Sequence, residues 1–123
     1  SRLTSIAIPD SITTICDYMF YGCEALASVT IPNSVTRIGS GAFYGCTGLT
    51  GITIPDSVTE LVSNTINNCN SLKTVNCKPT TPPTLGKSAF NTSVAGFNII
   101  VPVASINEYK TQWSTYATYI VSE

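Results

Sequence analysis

Apolar residues recur along the chain at a fixed spacing of 23 residues. Three copies of the pattern follow one another without a gap: LTSIAIPDSITTICDYMFYGCEA from Leu3, LASVTIPNSVTRIGSGAFYGCTG from Leu26, and LTGITIPDSVTELVSNTINNCNS from Leu49. A fourth copy, from Leu72, carries one extra residue and a proline-rich stretch. Self-similarity at such a period is typical of a repeat architecture, in which each copy forms one structural unit.

Each copy contains an alternating segment that predicts a short strand. In Val29-Thr30-Ile31 the outer residues are apolar and the middle one is polar, so the two faces of the strand differ. A Pro-Asn-Ser or Pro-Asp-Ser turn follows, then a second extended piece such as residues 35–38, and then a tight or helical turn. One such coil cannot enclose a core alone, but stacked coils continue each apolar column. We therefore predict a right-handed, β-rich solenoid with about four 23-residue coils and a parallel strand ladder.

The end of the chain departs from the repeat. We assign residues 1–95 to the repeats, with coils starting near residues 3, 26, 49 and 72, and residues 96–123 to a final strand and a C-terminal cap. Residues 105–120 predict a capping helix, in which Ser105 and Glu108 form a capping box. No equivalent cap precedes the first coil, so we expect further repeats or a partner ahead of Ser1. Helical spacing places four residues of the cap toward the open end of the stack: Ile106, Tyr109, Lys110 and Trp113.

The repeat LxxIxIPxxVTxIGxxAFxxCxxL resembles the BspA-like, or Treponema pallidum-type, leucine-rich repeats of bacterial surface proteins. The IPDSVT and AFYGC elements carry the resemblance, which covers about residues 3–95. It implies a leucine-rich-repeat solenoid, a secreted or cell-surface location, and a non-catalytic adhesion module that binds proteins such as host extracellular matrix or cell-surface proteins. The sequence departs from the pattern at residues 16–19, 66–68 and 77–79, and these departures concern local turns rather than the fold.

Composition excludes several function classes. Six basic residues against seven acidic ones leave no net positive charge to attract nucleic acid. No apolar run approaches the roughly 20 residues that span a bilayer, so we expect no membrane insertion of this segment. The absence of histidine excludes Ser-His-Asp and Cys-His catalytic systems and imidazole ligation of zinc. We expect neither a cofactor nor a metal site.

The cysteines Cys23, Cys46 and Cys69 occupy one column of the repeat. Stacked strands lie about 4.8 Å apart, whereas a disulfide needs converging Cβ atoms about 3.8 Å apart. Zinc would need four ligands, usually in closely spaced pairs that this sequence lacks. We therefore interpret the three as buried structural thiols. The states of Cys16 and Cys77 stay open, although Cys77 faces inward if it takes the position of Ile31.

Two sets of residues are candidates for binding. Tyr21 and Tyr44 lie one coil apart and could form an exposed aromatic strip for a partner protein or a sugar ring, or could simply cover the edge of the coil. The outward strand positions form a small, uncharged face that is either a binding surface or plain solvated sheet. Its residues include Ser28, Thr30, Thr53, Thr74 and Asn76.

Three functions fit these observations. The first is a protein-interaction or adhesion module, the second is a structural spacer, and the third is an accessory glycan-recognition domain of a larger secreted protein. A carboxylate pair is the remaining catalytic option, and Asp56 and Glu60 fall on different turns with no cleft predicted around them. We therefore expect no enzyme activity.

Overall fold

The structure is a computed structural model that describes residues 4–92 and 94–123, and its repeats stack as coils. Each coil contributes a strand to a first side of the stack and a shorter strand to a second side. The first side contains β1 (Ser5–Ala7), β3 (Ser28–Thr30), β5 (Gly51–Ile54), β7 (Thr74–Cys77), β9 (Asn98–Val101) and β10 (Ile120–Ser122). The second side contains β2 (Thr14–Ile15), β4 (Arg37–Ile38), β6 (Glu60–Leu61) and β8 (Thr84–Leu85).

Strands of successive coils pair in parallel, as predicted. Ser5 lies opposite Ser28 and Gly51 lies opposite Thr74, so equivalent residues of neighbouring coils face one another. The second side is one continuous sheet, β2-β4-β6-β8. The first side is divided into the pair β1-β3 and the sheet β5-β7-β9-β10. The predicted solenoid is therefore confirmed. The sequence pattern does not predict the interruption of the sheet between β3 and β5.

The core lies between the two sides and consists of the predicted apolar columns. Equivalent residues of successive coils are buried one above another, so each coil covers the apolar surface of the next. The columns include Leu26, Leu49 and Leu72; Ile31, Ile54 and Cys77; Ile15, Ile38 and Leu61; and Phe43, Ile66 and Phe90.

Backbone hydrogen bonds between coils have opposite polarity on the return turns and beside the second sheet. On the return turns that follow the second strand, each coil donates N–H groups to carbonyl groups of the next coil. Beside the second sheet the donation runs backward, as when the Gly39 N–H bonds to the Ile15 carbonyl at 2.8 Å. The forward bonds on the return turns include Phe20 N to Ala42 O at 2.8 Å, Phe43 N to Thr65 O at 2.9 Å, and Ile66 N to Ala89 O at 2.9 Å.

The cap is more complex than the single helix that the sequence predicts. A 3₁₀ turn (Val103–Ser105) leads into helix α1 (Ile106–Gln112), and a second 3₁₀ segment (Ser114–Tyr119) leads into β10. The predicted extension of the helix to Ile120 is wrong, because the chain leaves helical geometry at Trp113, with a ψ of 48°. The predicted apolar face is confirmed for Tyr109 and Trp113, which are buried, and for Ile106, which is half-buried, but it is wrong for Lys110, which is exposed.

The predicted capping box is also wrong. Ser105 stands at the N-cap of α1 but makes no side-chain cap hydrogen bond. Its hydroxyl donates instead to the Thr80 carbonyl at 2.7 Å. The hydroxyl group therefore serves as a donor to the proline-rich loop rather than as the acceptor of a helix N–H that a capping box requires.

Candidate functional site

Three tyrosines lie together on the return turns of the first two coils, and we call Tyr18, Tyr21 and Tyr44 the tyrosine cluster. The Tyr21 and Tyr44 rings stack with centroids 5.4 Å apart and planes inclined by 5°. Tyr18 meets Tyr21 edge to face, with centroids 5.7 Å apart. The repeat register explains the stacking, because equivalent positions of adjacent coils superpose. The structure thus brings the two sequence-predicted tyrosines together and adds a third.

The tyrosine cluster lies next to a pair of stacked phenylalanines and is exposed to solvent on its outer side. Beneath it the Phe20 and Phe43 rings stack with centroids 5.3 Å apart, and Phe43 is fully buried. Tyr18 and Tyr21 retain 59% and 57% of their accessible surface, while Tyr44 is half-buried. Large apolar groups exposed side by side on a fixed base are typical of contact surfaces rather than of plain solvated turns.

Tyr18 adopts a backbone conformation that tyrosine rarely uses. Its φ is 59°, in the left-handed region, where the next coil has Gly41 with a φ of 60°. An L-residue in this conformation costs roughly 1–2 kcal/mol. A Cβ atom on Gly41 would lie 2.6 Å from Cε1 of Tyr18, so the ring occupies space that only glycine leaves free. Tyr18 was not identified as a candidate from the sequence. Its position one repeat before Gly41, the second glycine of the GSG turn, could have indicated the unusual backbone.

Charge around the tyrosine cluster is acidic. Asp17 and Glu24 flank the first-coil tyrosines, and the Asp17 carboxylate accepts the Ser40 N–H at 2.8 Å. In the described part of the chain, Arg37 lies on the second side and pairs with Glu60 at 3.1 Å. The described lysines are Lys73, Lys78, Lys87 and Lys110, which all belong to the fourth coil or the cap.

The outward strand face keeps its expected composition but offers few anchors. Ser28, Thr30 and Thr53 are exposed, whereas Thr74 and Asn76 are half-buried. The register carries this face on from Asn76 to Ile100 and then to Val121, which is 42% exposed. These strand residues do not join the tyrosine cluster, which lies on the return turns.

Two of the column cysteines bond successive coils together. The Cys46 thiol donates to the Phe20 carbonyl at 3.3 Å, and the Cys69 thiol donates to the Phe43 carbonyl at 3.0 Å. Both are buried, whereas Cys23 is half-buried, because the described chain places no coil on its other side. The expectation of full burial is therefore wrong for Cys23. The pKa of the Cys69 thiol is raised mainly by its side-chain contact with Cys46 and, as the second cause, by burial.

The two cysteines left open by the sequence have different environments. Cys16 is exposed, while Cys77 is buried and faces inward, opposite Ile54. The Cys77 sulfur lies 3.5 Å from the Tyr109 hydroxyl. Burial raises the pKa of the Cys77 thiol to about 12, and the Tyr109 hydroxyl acts in the opposite direction. All five cysteines are free thiols, and no cluster of potential metal ligands occurs among the described residues.

Two shallow clefts open on the surface. The first, of about 400 Å³, lies between residues 85–88 of the fourth coil and residues 112–116 of the cap. The second, of about 320 Å³, lies beside the proline-rich loop and is bordered by Asp56. The expectation of no cleft near Asp56 is wrong. Glu60, however, pairs with Arg37 and does not border this cleft, so the structure assembles no carboxylate pair there.

Within residues 4–92 and 94–123, none of the helices has the length and apolar character that a membrane crossing requires.

Comparison with known proteins supports the repeat assignment. A family model described as the BspA type leucine rich repeat region matches residues 1–117 with six copies. None of the curated proteins matches the chain significantly. A leucine-rich repeat protein from Bacteroides ovatus is similar in structure, with a TM-score of 0.75 and 25% identity over 98% of this chain. A leucine rich cell surface protein from Faecalibacterium prausnitzii gives a TM-score of 0.72 and 27% identity over 94% of this chain. The chain spans 30% and 29% of the lengths of those two proteins.

Proposed function

Because this chain belongs to the BspA-type leucine-rich repeat family, we propose that it is a protein-interaction module of a bacterial cell-surface protein. The similar structure from Faecalibacterium prausnitzii is described as a cell surface protein, which supports this location. Repeat solenoids bind partners through extended surfaces that no single coil could supply. The module adheres to a protein of a host matrix or of a neighbouring cell and performs no catalysis.

The tyrosine cluster is the contact surface in this proposal. The observation that carries it is the left-handed backbone of Tyr18, which places a bulky exposed ring where the next coil has glycine. Strained backbone persists where surrounding structure enforces it, and it concentrates at functional positions. Tyrosine is enriched at interface hot spots because it contributes a large, rigid apolar area together with a hydroxyl group.

The acidic surroundings of the tyrosine cluster define the chemistry of the partner. Asp17 and Glu24 favour a basic partner surface, since complementary charge speeds encounter and rejects acidic competitors. A lysine or arginine side chain of the partner can also lie against a tyrosine ring, an arrangement that contributes about 0.5–2 kcal/mol. We therefore infer a partner segment that presents a cationic side chain beside an apolar one.

A binding assay on immobilised matrix proteins tests this proposal. The double variant Tyr21→Ala/Tyr44→Ala should weaken binding by tenfold or more, because two aromatic anchors are removed. Raising the salt concentration should weaken binding of the unaltered protein, because exposed charge pairs are screened.

The matched control is the double variant Thr30→Ala/Thr53→Ala on the strand face, which should bind like the unaltered protein. Thermal unfolding of both variants verifies that the stack is intact. Loss of binding in the threonine variant alone would move the contact surface to the strand face. Absence of binding by the unaltered protein to any matrix protein would favour a structural spacer.

A further inference from the structure

At the C-terminal end of the stack, the N–H of Ser88 lacks the acceptor that the repeat supplies to its equivalents in earlier coils. At the first left-handed position of the return turns of the first three coils, the N–H donates to a carbonyl of the next coil. Ser88 holds this position in the fourth coil, with a φ of 56°, and the cap follows where a fifth coil would lie. The regular donor and acceptor pairs are Tyr18 to Ser40 at 2.9 Å, Gly41 to Ser63 at 3.1 Å, and Asn64 to Lys87 at 3.0 Å.

The cap satisfies the neighbouring donor but not this one. The N–H of Phe90 would bond to a fifth coil by the same rule, and it bonds instead to the Tyr116 hydroxyl at 3.4 Å. For the Ser88 N–H, the described residues supply no acceptor. The cleft of about 400 Å³ between residues 85–88 and 112–116 opens at this point. The forward polarity of the return turns therefore directs the Ser88 N–H toward the cleft.

The charge at the edge of the cleft favours an anion. Lys87 borders the cleft, is exposed, and has no ion-pair partner among the described residues. A backbone N–H beside an ammonium group forms charge-assisted hydrogen bonds with a carboxylate. Glu108 is not among the residues that border the cleft, and its carboxylate accepts the side-chain amide of Gln112 at 3.4 Å.

The remaining lining is suited to a sugar ring. Hydroxyl and amide groups of Ser114, Thr115 and Gln112 border the cleft, and they can bond to the hydroxyl groups of a sugar. Trp113 and Tyr116 supply apolar walls. The volume lies within the range of small-molecule sites.

We propose that this cleft binds a uronic acid unit of an acidic glycan. The carboxylate of the sugar accepts the Ser88 N–H and pairs with Lys87, while the ring hydroxyls contact the cap. The site lies in the fourth coil and the cap, away from the tyrosine cluster, so it stands or falls independently of the proposed protein interaction.

Titration of the isotopically labelled protein with glucuronate, followed by amide NMR, tests the proposal. The Ser88 amide resonance should move downfield and saturate, with a dissociation constant of about 1–10 mM, as expected for one small sugar. Resonances of Gln112 to Thr115 should move with the same midpoint. The Tyr21 and Tyr44 amides should not move.

Matched variants and probes make the result decisive. Lys87→Gln should weaken glucuronate binding roughly tenfold, because the charged partner of the carboxylate is lost, whereas Lys73→Gln on the same coil should not change it. Glucose lacks the carboxylate and acetate lacks the ring, so each should bind at least roughly fivefold more weakly. Absence of a Ser88 shift, equal weakening by the two lysine variants, or an equal response to glucose or acetate would overturn the proposal.

Discussion

A left-handed backbone residue occupies the same position near the start of each described return turn, at Tyr18, Gly41, Asn64 and Ser88. Glycine and asparagine adopt this conformation at low cost, whereas tyrosine pays roughly 1–2 kcal/mol. The stack enforces it at Tyr18, whose N–H bonds to the Ser40 carbonyl at 2.9 Å. The tyrosine cluster thus depends on Tyr18, whose backbone conformation is unfavourable for tyrosine and is maintained by a hydrogen bond to the neighbouring coil.

The buried thiol of Cys77 predicts how the free energy of unfolding depends on pH. The pKa of Cys77 is about 12 in the folded chain because of burial, whereas an exposed thiol ionises near pH 8.5. Below about pH 8 both states carry the proton, and the free energy of unfolding should not change through this group. As the pH rises above about 9, only the unfolded state loses the proton, so stability should fall by up to roughly 1.4 kcal/mol per pH unit.

Urea denaturation between about pH 7 and pH 10.5 measures this slope. Cys77→Val fits the same strand position opposite Ile54 and should reduce the slope by about one proton. Cys16→Val alters an exposed thiol and serves as the matched control for a cysteine-to-valine change. Equal slopes in the unaltered protein and in Cys77→Val would contradict the assignment.

At the scale of elements, the cap and the proline-rich loop form one unit. The loop at residues 79–83 has carbonyl groups that need hydrogen-bond donors. Its own prolines cannot supply them, because proline has no backbone N–H. Three side chains of the cap meet this need: the Tyr109 hydroxyl bonds to Pro79 O, the Ser105 hydroxyl to Thr80 O, and the Trp113 indole to Pro83 O. The proline-rich loop of the fourth coil therefore forms the surface on which the cap folds.

Removing one of these bonds should destabilise the chain measurably. Trp113→Phe retains an aromatic ring in the core but loses the indole N–H that lies 3.0 Å from the Pro83 carbonyl. The orphaned buried carbonyl should lower the free energy of unfolding by about 1–3 kcal/mol, measured by urea denaturation. Tyr119→Phe serves as control, since its ring contact with Phe97 is retained and its hydroxyl has no partner among the described residues. A loss in Trp113→Phe no larger than that in Tyr119→Phe would show that the bond to the Pro83 carbonyl contributes little to stability.

The fold was predictable because every copy repeats the same apolar columns, and Ile15, Ile38 and Leu61 are buried where the pattern places them. The cap was predictable only in its apolar face. A capping box depends on local sequence, but Ser105 bonds to Thr80, 25 residues away, and a single sequence does not reveal that competition. The turn of the chain at Trp113 and the return of β10 beside β9 depend on tertiary contacts in the same way.

At the scale of the whole molecule, the two proposed sites lie toward opposite ends of the stack and differ in charge. The first-coil tyrosines have acidic neighbours, whereas the described lysines gather in the fourth coil and the cap. Stacking of Tyr21 on Tyr44 was predictable from the 23-residue register. The cleft at Ser88 was not, because it arises from the mismatch between a regular coil and an irregular cap, which only the folded geometry contains.

A stack of coils also predicts how stability is distributed along the chain. The amides of Phe20, Phe43 and Ile66 hold equivalent positions and donate to the next coil at 2.8, 2.9 and 2.9 Å. Hydrogen-bond geometry therefore cannot distinguish them, but burial can, since Phe43 and Ile66 are fully buried and Phe20 is only partly buried. Because repeats gain stability from each neighbouring interface, the first coil should open more readily than those inside the stack.

Amide hydrogen exchange of the 123-residue chain measures this difference. The Phe20 amide should exchange at least roughly tenfold faster than the Ile66 amide, once intrinsic rates are removed, and Phe43 should lie between them or with Ile66. Trp113→Phe should accelerate exchange at Ile66 more than at Phe20, because the variant destabilises the cap and Ile66 belongs to a coil closer to the cap. Equal protection at all three amides would instead show that the coils open together, and that their nearest-neighbour interfaces are too strong to separate.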